Sequence, residues 1–364
     1  MDAIPRPPAP KTKLGHYRQL CPLAGIHVSP IALGGMSIGD KWASLGMGAM
    51  NKESSFKLLD ANYDAGGNFI DTANNYQEGS SEDFIGEWME RRGNRDQMQK
   101  AHYVGNNIKS MHISVETSLK RLRTSYIDIL YVHWWDWTCK VEEVMNGLHS
   151  LVASGKVLYL ANMYARTTGK TPFVIYEGAW SVLQRDIERD IIPMVKDEGM
   201  AVTPWNVLAA GKVRTDAEEE ERRKTGEKGR SFLRHEWQRG DNEKKVAKVL
   251  EEIAADVGAC TIQAVAIAYV MQKVPYVFPI ISGRKVEHLY ANIKALDISL
   301  TEEQIKKIEA AVPFVPRFPY NVIGDGSQYN LGYTLAGYFD KWPASQPLRP
   351  SQGQELVIKP PMYD

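Results

Sequence analysis

The sequence predicts an α/β protein built as a (β/α)₈-type barrel, and three observations lead there. Short apolar runs alternate with amphipathic stretches of helical length from about residue 27 to residue 311, the pattern of parallel strands joined by helices. The runs are apolar at nearly every position rather than at every second one, as strands buried on both faces require. Titratable residues collect at the C-terminal ends of two of these runs, the face on which barrels carry their chemistry. An open doubly wound sheet is the competing layout, but no Gly-x-Gly-x-x-Gly follows the first strand, which favours the barrel.

The elements follow in order. Residues 1–16 are Pro-rich and read as a flexible arm. Residues 27–37 read as a strand ending in a Gly34-Gly35 turn. Residues 52–66 read as a helix with Phe56, Leu59 and Tyr63 on one face. A strand at 67–73 and a helix at 81–92, opened by Ser80 or Ser81 with acidic residues in its first turn, come next. Helices at 108–123 and 141–154 precede strands at 127–133 and 157–161; a short strand at 173–176 follows. A helix at 187–198 leads into a strand at 200–204. Helices at 244–257 and 261–272 precede the last strand at 276–281, and helices at 286–295 and 301–311 close the regular part. The strand candidates number seven, near residues 28, 68, 127, 157, 173, 200 and 276, where a closed barrel of this type needs eight. Residues 17–312 therefore form the barrel. Residues 313–364, rich in Pro, Gly and Tyr, read either as a tail over the barrel mouth or as a subunit contact. The charged stretch 214–245 has two readings: a solvated helix plus loop, or a flap over a bound cofactor.

Composition narrows the function. Lys+Arg and Asp+Glu are equal at 44 each, which gives no electrostatic reason to expect nucleic acid or an anionic membrane as partner. The 3 cysteines are scattered and form no C-x-x-C pair, so neither a disulfide framework nor a zinc site is expected. The sequence shows no secretory signal and no membrane-spanning run, and a cytoplasmic location is expected.

Two strand-end clusters carry the chemistry. One is Asn68-Phe69-Ile70-Asp71-Thr72-Ala73-Asn74-Asn75-Tyr76, the other Ile127-Asp128-Ile129-Leu130-Tyr131-Val132-His133-Trp134. Together they offer an Asp, a Tyr and a His, which suits proton delivery to a carbonyl oxygen that receives a hydride. Singly, Tyr76 reads as a loop aromatic, Asp71 as a turn cap and His133 as a satisfied core histidine. A third signature lies at residues 281–293, where a strand runs into a helix start bearing Arg284 and Lys285. Backbone N–H groups at such a start attract phosphate, and the arginine fork suits a phosphate monoester; a basic helix start facing solvent is the plainer reading. Metal chemistry is not expected, because His133 and Asp136 have no matching ligand cluster.

These segments resemble the aldo-keto reductase superfamily over residues 17–325. Residues 131–136, 155–160 and 184–193 are most similar to the fungal aryl-alcohol dehydrogenases and norsolorinic acid reductase-like proteins. The resemblance implies a TIM barrel, NADP(H) as cofactor, and an aromatic aldehyde, ketone or alcohol as substrate. It makes Tyr76 the general acid, Asp71 its electrostatic support and His133 the group that orients the carbonyl. It gives Glu177 to the nicotinamide carboxamide and Trp205 to the nicotinamide ring. Leu208, Gly211 and Lys212 fall to the pyrophosphate, Gly283 and Arg284 to the 2′-phosphate, and Glu287 and Asn292 to the adenine. An NADP-binding regulatory or scaffold protein without turnover is the alternative.

Three departures from the family pattern stand out. The third strand and the catalytic Lys it carries are absent, because Asn94-Arg95-Asp96-Gln97-Met98 runs straight into Gln99-Lys100-Ala101-His102-Tyr103. Tyr159-Leu160-Ala161 runs directly into Asn162-Met163-Tyr164, without the family's intervening turn. Glu177 stands where the family has Gln; an ionised Glu accepts hydrogen bonds and donates none, so weaker nicotinamide binding is expected.

Overall fold

The structure, a computed structural model, describes residues 9–45, 50–95, 107–133, 139–160, 171–226, 237–318, 320–324 and 327–350. The two joins, after Met98 and after Ala161, Lys100, and the tryptophans at 134, 135 and 137 lie outside the described residues.

A parallel ladder forms the centre. Strand β3 (Ala32–Gly34) pairs with β4 (Ile70–Asp71) on one side and with β9 (Ile280–Ile281) on the other. Val277, just before β9, bridges to Val202 of β8 (Ala201–Trp205), and β8 pairs along its length with β7 (Ile175–Ala179). Phe173, just before β7, bridges to Leu160, which follows β6 (Val157–Tyr159), and β6 pairs with β5 (Ile127–Ile129). The spatial order is thus β4-β3-β9-β8-β7-β6-β5, the 7 strands expected from the sequence. Among the described residues, nothing pairs with the outer edges of β4 and β5. The missing third strand would stand between them.

Arg95 lies against that open edge. Its guanidinium donates to the Tyr126 carbonyl at 2.7 Å and to the Asp128 carboxylate at 3.0 Å, and it stacks on the Tyr126 ring 4.2 Å from the centroid. A planar, fixed fork can serve a backbone acceptor and a carboxylate at once, so Arg95 satisfies groups that a neighbouring strand would otherwise meet.

The expected strand at 27–37 is in fact two elements. β1 (Arg18–Cys21) and β2 (Ala24–Val28) form an antiparallel hairpin, and β3 starts only at Ala32. Pro30 separates them, because proline has no N–H for a ladder. The hairpin, unforeseen from the sequence, packs Leu20, Cys21, Ala24 and Val28 against Ala32, Phe69, Ala201, Phe278 and Ile280. These partners lie at or near strand starts, so the hairpin plugs the N-terminal end of the barrel and leaves the other end for the site.

Helices cover the outside. α1 (Lys52–Asp64), α2 (Ser80–Arg92), α3 (Ile108–Arg121) and α4 (Val141–Ala153) serve the first half. Asn51 and Asn107 cap α1 and α3, each accepting from a backbone N–H in the first turn. α5 (Ile191–Glu198), α6 (Asp216–Thr225), α7 (Asp241–Val257), α8 (Ile262–Met271), α9 (Val286–Ile293) and α10 (Glu302–Ala311) follow. Every residue of α8 except Gln263 is buried, and α8 packs against both α7 and α9. No single helix among the described residues is long and apolar enough to cross a membrane.

Where described, the stretch 214–245 is a helix and flanks that are mostly exposed, as the solvated reading expects, with three charged residues as exceptions. α6 is a capped helix, but Arg214, Glu219 and Arg239 are buried. The Glu219 carboxylate accepts from Arg239 at 2.6 Å and from Arg214 at 3.2 Å, while Arg214 also donates to the carbonyls of Gly211 and Trp237, each at 2.7 Å. The network pins the excursion to the loop after β8. Removing one member of a buried pair leaves its partner charged and unpaired. Glu219→Ala is expected to lower stability by about 3 kcal/mol, read as a lower urea midpoint at unchanged slope.

Candidate active site

The C-terminal ends of the strands open into a cavity of about 1560 Å³. Asp71, Tyr76, His133, Glu177, Trp205 and Lys212 all line it. Leu208, Gly211, Gly283, Arg284, Glu287 and Asn292 do not. Asn292 is buried on the inner side of α9 and faces a separate small void beside Leu14 and Asn62. Arg284 and Glu287 are exposed at the start of the same helix, and none of the described residues beyond Ser282 lines the cavity.

Local structure explains how each group is aimed. Asp71 ends β4, held by the Leu33–Ile70 and Gly34–Asp71 register. Gly35 passes so close that a Cβ there would stand 2.8 Å from the Asp71 carbonyl oxygen, which only glycine permits. Thr72 and Ser81 share a 2.8 Å hydroxyl bond, and Ser81 donates to the Gly35 carbonyl at 3.0 Å, tying the strand end to α2.

Tyr76 opens a tight turn whose next two residues are left-handed, Gln77 at φ 53° and Glu78 at φ 55°. Such backbone is costly for residues with a Cβ, about 1–3 kcal/mol each, and persists where packing holds it. Gln77 does the holding. It is fully buried, accepts from the Trp42 N–H at 2.8 Å and donates to the Met36 carbonyl at 3.0 Å. Trp42 in turn meets the Tyr76 ring edge-on, with centroids 6.1 Å apart. The sequence reading passed over Gln77, Trp42 and Met36, and only their place beside Tyr76 marks them.

Tyr131 and His133 follow directly after β5. Both line the cavity. The Tyr131 hydroxyl lies 3.0 Å from Thr203 Oγ1, which donates to the Tyr176 carbonyl at 3.3 Å. A hydroxyl has one proton, so Tyr131 is the donor in the first bond. His133 has its pKa lowered by desolvation, which favours the neutral ring that can orient a carbonyl.

Asp71 and Glu177 define the electrostatics. Burial pushes Asp71 from 3.8 up to about 7. Glu177 is raised well above the carboxylate range, by burial first and by the Asp71 charge second. Tyr131 is also pushed well up, by burial and then by the Glu177 charge. No Lys or Arg among the described residues forms an ion pair with either carboxylate. The raised pKa changes the view of Glu177, because a protonated carboxyl both donates and accepts, as an amide does.

The site is also suited to a dinucleotide. Trp205 keeps 47% of its surface exposed at the end of β8, an uncovered flat ring. Lys212 lies on the same wall, 3.4 Å from Glu243. α9 begins beside Arg284 and Lys285, and no side chain caps its first turn, which leaves backbone donors for an anion.

Comparison with known proteins now gives these features a family. Residues 30–313 match the model of the aldo/keto reductase family, and the chain belongs to that family, whose fold is the (β/α)₈ barrel. It is 61% identical to the aryl-alcohol dehydrogenase [NADP(+)] of Phanerodontia chrysosporium, over 95% of this chain and 98% of that one. It is 41% identical to norsolorinic acid reductase A of Aspergillus parasiticus, covering 96% and 97% of the two chains. A crystal structure of a thermostable aldo-keto reductase in complex with the inhibitor epalrestat superposes with TM-score 0.65 at 25% identity, over 81% of this chain and 99% of that one. The alignment to the first relative spans 378 positions, more than the 364 residues of this chain. That relative therefore carries residues with no counterpart here, as the two joins in the sequence suggest.

The Asp71 pKa fixes a stability profile. Its folded value lies above the unfolded one, so its contribution is full below about pH 4 and is lost as pH rises through about 7. Asp71→Asn cannot ionise. It is expected to be more stable than the parent at pH 8 by roughly 1–3 kcal/mol, and to flatten the decline between those two values, in urea titrations.

Proposed function

We propose that this chain is an NADP(H)-dependent oxidoreductase that interconverts aryl aldehydes or ketones and the corresponding alcohols. The observation that carries this reading is the convergence of Tyr76, His133 and Trp205, distant in sequence, on one cavity. The names of the relatives point the same way.

Trp205, Lys212, Glu177 and the start of α9 with Arg284 would hold the cofactor, which supplies the hydride when bound. His133, neutral, donates a hydrogen bond to the substrate carbonyl and fixes its direction. Tyr76 delivers the proton to the developing alkoxide from its phenol oxygen. The turn clamped by Gln77 keeps that oxygen in place, which spares reorganisation during the reaction. Asp71, pushed up to about 7 by burial, is about half protonated at neutrality and brings less than a full negative charge to the site. Leu130, Ile175 and Ile280 on the cavity wall offer the apolar surface that an aryl ring needs.

One observation favours a second reading, an NADP-binding protein without turnover. No cation pairs with Asp71 among the described residues, where the resemblance to the family expects a lysine.

The test is NADPH oxidation with veratraldehyde, beside cofactor affinity measured by fluorescence quenching. The oxidoreductase reading expects turnover, lowered roughly 10²-fold or more in Tyr76→Phe with cofactor affinity unchanged. Cofactor binding with no turnover would establish the second reading. Arg284→Ala is expected to weaken NADPH binding roughly tenfold and leave NADH binding unchanged.

A further inference from the structure

We propose that Arg121, at the C-terminal end of α3, is a positioning residue for Tyr76, a role that rests on the oxidoreductase reading above. The turn that carries Tyr76 is strained. Gln77 and Glu78 are left-handed at φ 53° and 55°, and Gly79 follows at φ 94°. Backbone of this kind persists where its surroundings hold it. Gln77 holds it from one side, through Trp42 and Met36. Arg121 holds it from another. Its Nη1 donates to the Asn74 carbonyl, just before Tyr76, at 2.9 Å. The same guanidinium lies against Gly79, just after Tyr76, so closely that a Cβ there would collide with it. One planar group thus meets the backbone on both sides of the tyrosine.

Arg121 is itself anchored. Glu82, in the first turn of α2, is fully buried, and its Oε2 lies 3.5 Å from Arg121 Nη1. A guanidinium presents its donors in a fixed fork, so it can serve a carbonyl and a carboxylate at once. An ammonium in its place would keep the charge beside Glu82 and lose the fork. Arg121 does not line the cavity, so it acts on the reaction through the position of Tyr76 and not by touching substrate. Misplacing a reacting group by about 1 Å can cost on the order of 10²-fold in rate. An ion pair that only joined α2 to α3 would change stability and leave Tyr76 where it is.

The experiment compares the full chain with Arg121→Lys and Arg121→Ala. Kinetics use the unlabelled proteins. Fluorine NMR uses the same proteins made with 3-fluorotyrosine, the Tyr76 line being assigned by its loss in Tyr76→Phe. The kcat for veratraldehyde reduction is expected to fall roughly tenfold or more in Arg121→Ala and less in Arg121→Lys, with KM and NADPH affinity within about twofold of the parent. The Tyr76 line should shift or broaden while most other tyrosine lines stay. In Arg121→Ala, millimolar guanidinium chloride should return both kcat and the line toward the parent, and sodium chloride at equal ionic strength should not. Arg121→Lys keeps a cation beside Glu82, so it carries the test if Arg121→Ala does not fold. An unchanged kcat, an unmoved Tyr76 line or a loss of folding in both variants would overturn the proposal and leave Arg121 as a structural link. If the parent itself shows no turnover, the oxidoreductase reading fails, and the Tyr76 line alone decides whether Arg121 positions the residue.

Discussion

A parallel strand buried on both faces needs a hydrogen-bonding partner along each edge, and this constraint shapes the molecule. Among the described residues, the ladder from β4 through β3, β9, β8, β7 and β6 to β5 meets it everywhere except at its two ends. There Arg95 provides part of what a strand would, giving N–H groups to the Tyr126 carbonyl and the Asp128 carboxylate. The hairpin β1–β2 fills the opposite end of the barrel with apolar side chains. Strand ends are thereby free to carry chemistry on one face only, and the large cavity lies on that face.

The same opening governs the electrostatics. Asp71 and Glu177 are buried groups that line the cavity, and among the described residues neither meets a cation. Protonation is the cheapest relief, which is why both titrate above the carboxylate range. A protonated Glu177 regains the donor that an ionised one lacks, so the departure from Gln at this position is milder chemically than it looks in the sequence. Tyr76 shares the cavity with Asp71, and proton delivery from it needs a phenol oxygen held in place. Position therefore matters for this tyrosine, and the strained turn beneath it, clamped by Gln77, supplies position.

Much of the fold was legible in the residues, for a physical reason. Strands buried on both faces are apolar throughout, and amphipathic helices repeat with their own period, so the seven strands and the helices between them could be placed to within a few residues. The family itself followed from local motifs around Asp71, Tyr76 and His133, because strand ends that carry chemistry keep their residues close together in sequence. The hairpin escaped notice because Pro30 divides one apolar run into two elements, and a run of apolar residues does not show where hydrogen-bonding partners change. The stretch 214–245 reads as solvated because charge patterns report composition, whereas burial of Glu219 between Arg214 and Arg239 depends on residues 20 and 25 positions apart meeting.

What the sequence determined alone is therefore the set of local patterns: strand and helix periods and strand-end chemistry. Only the tertiary structure decided which groups share a space. It put Gln77 and Trp42 under Tyr76, set Asn292 on the inner side of its helix away from the cavity, and brought Asp71 and Glu177 within each other's field. Charge interactions and burial act through space rather than along the chain, so protonation states and the shape of the site come into being when the barrel forms.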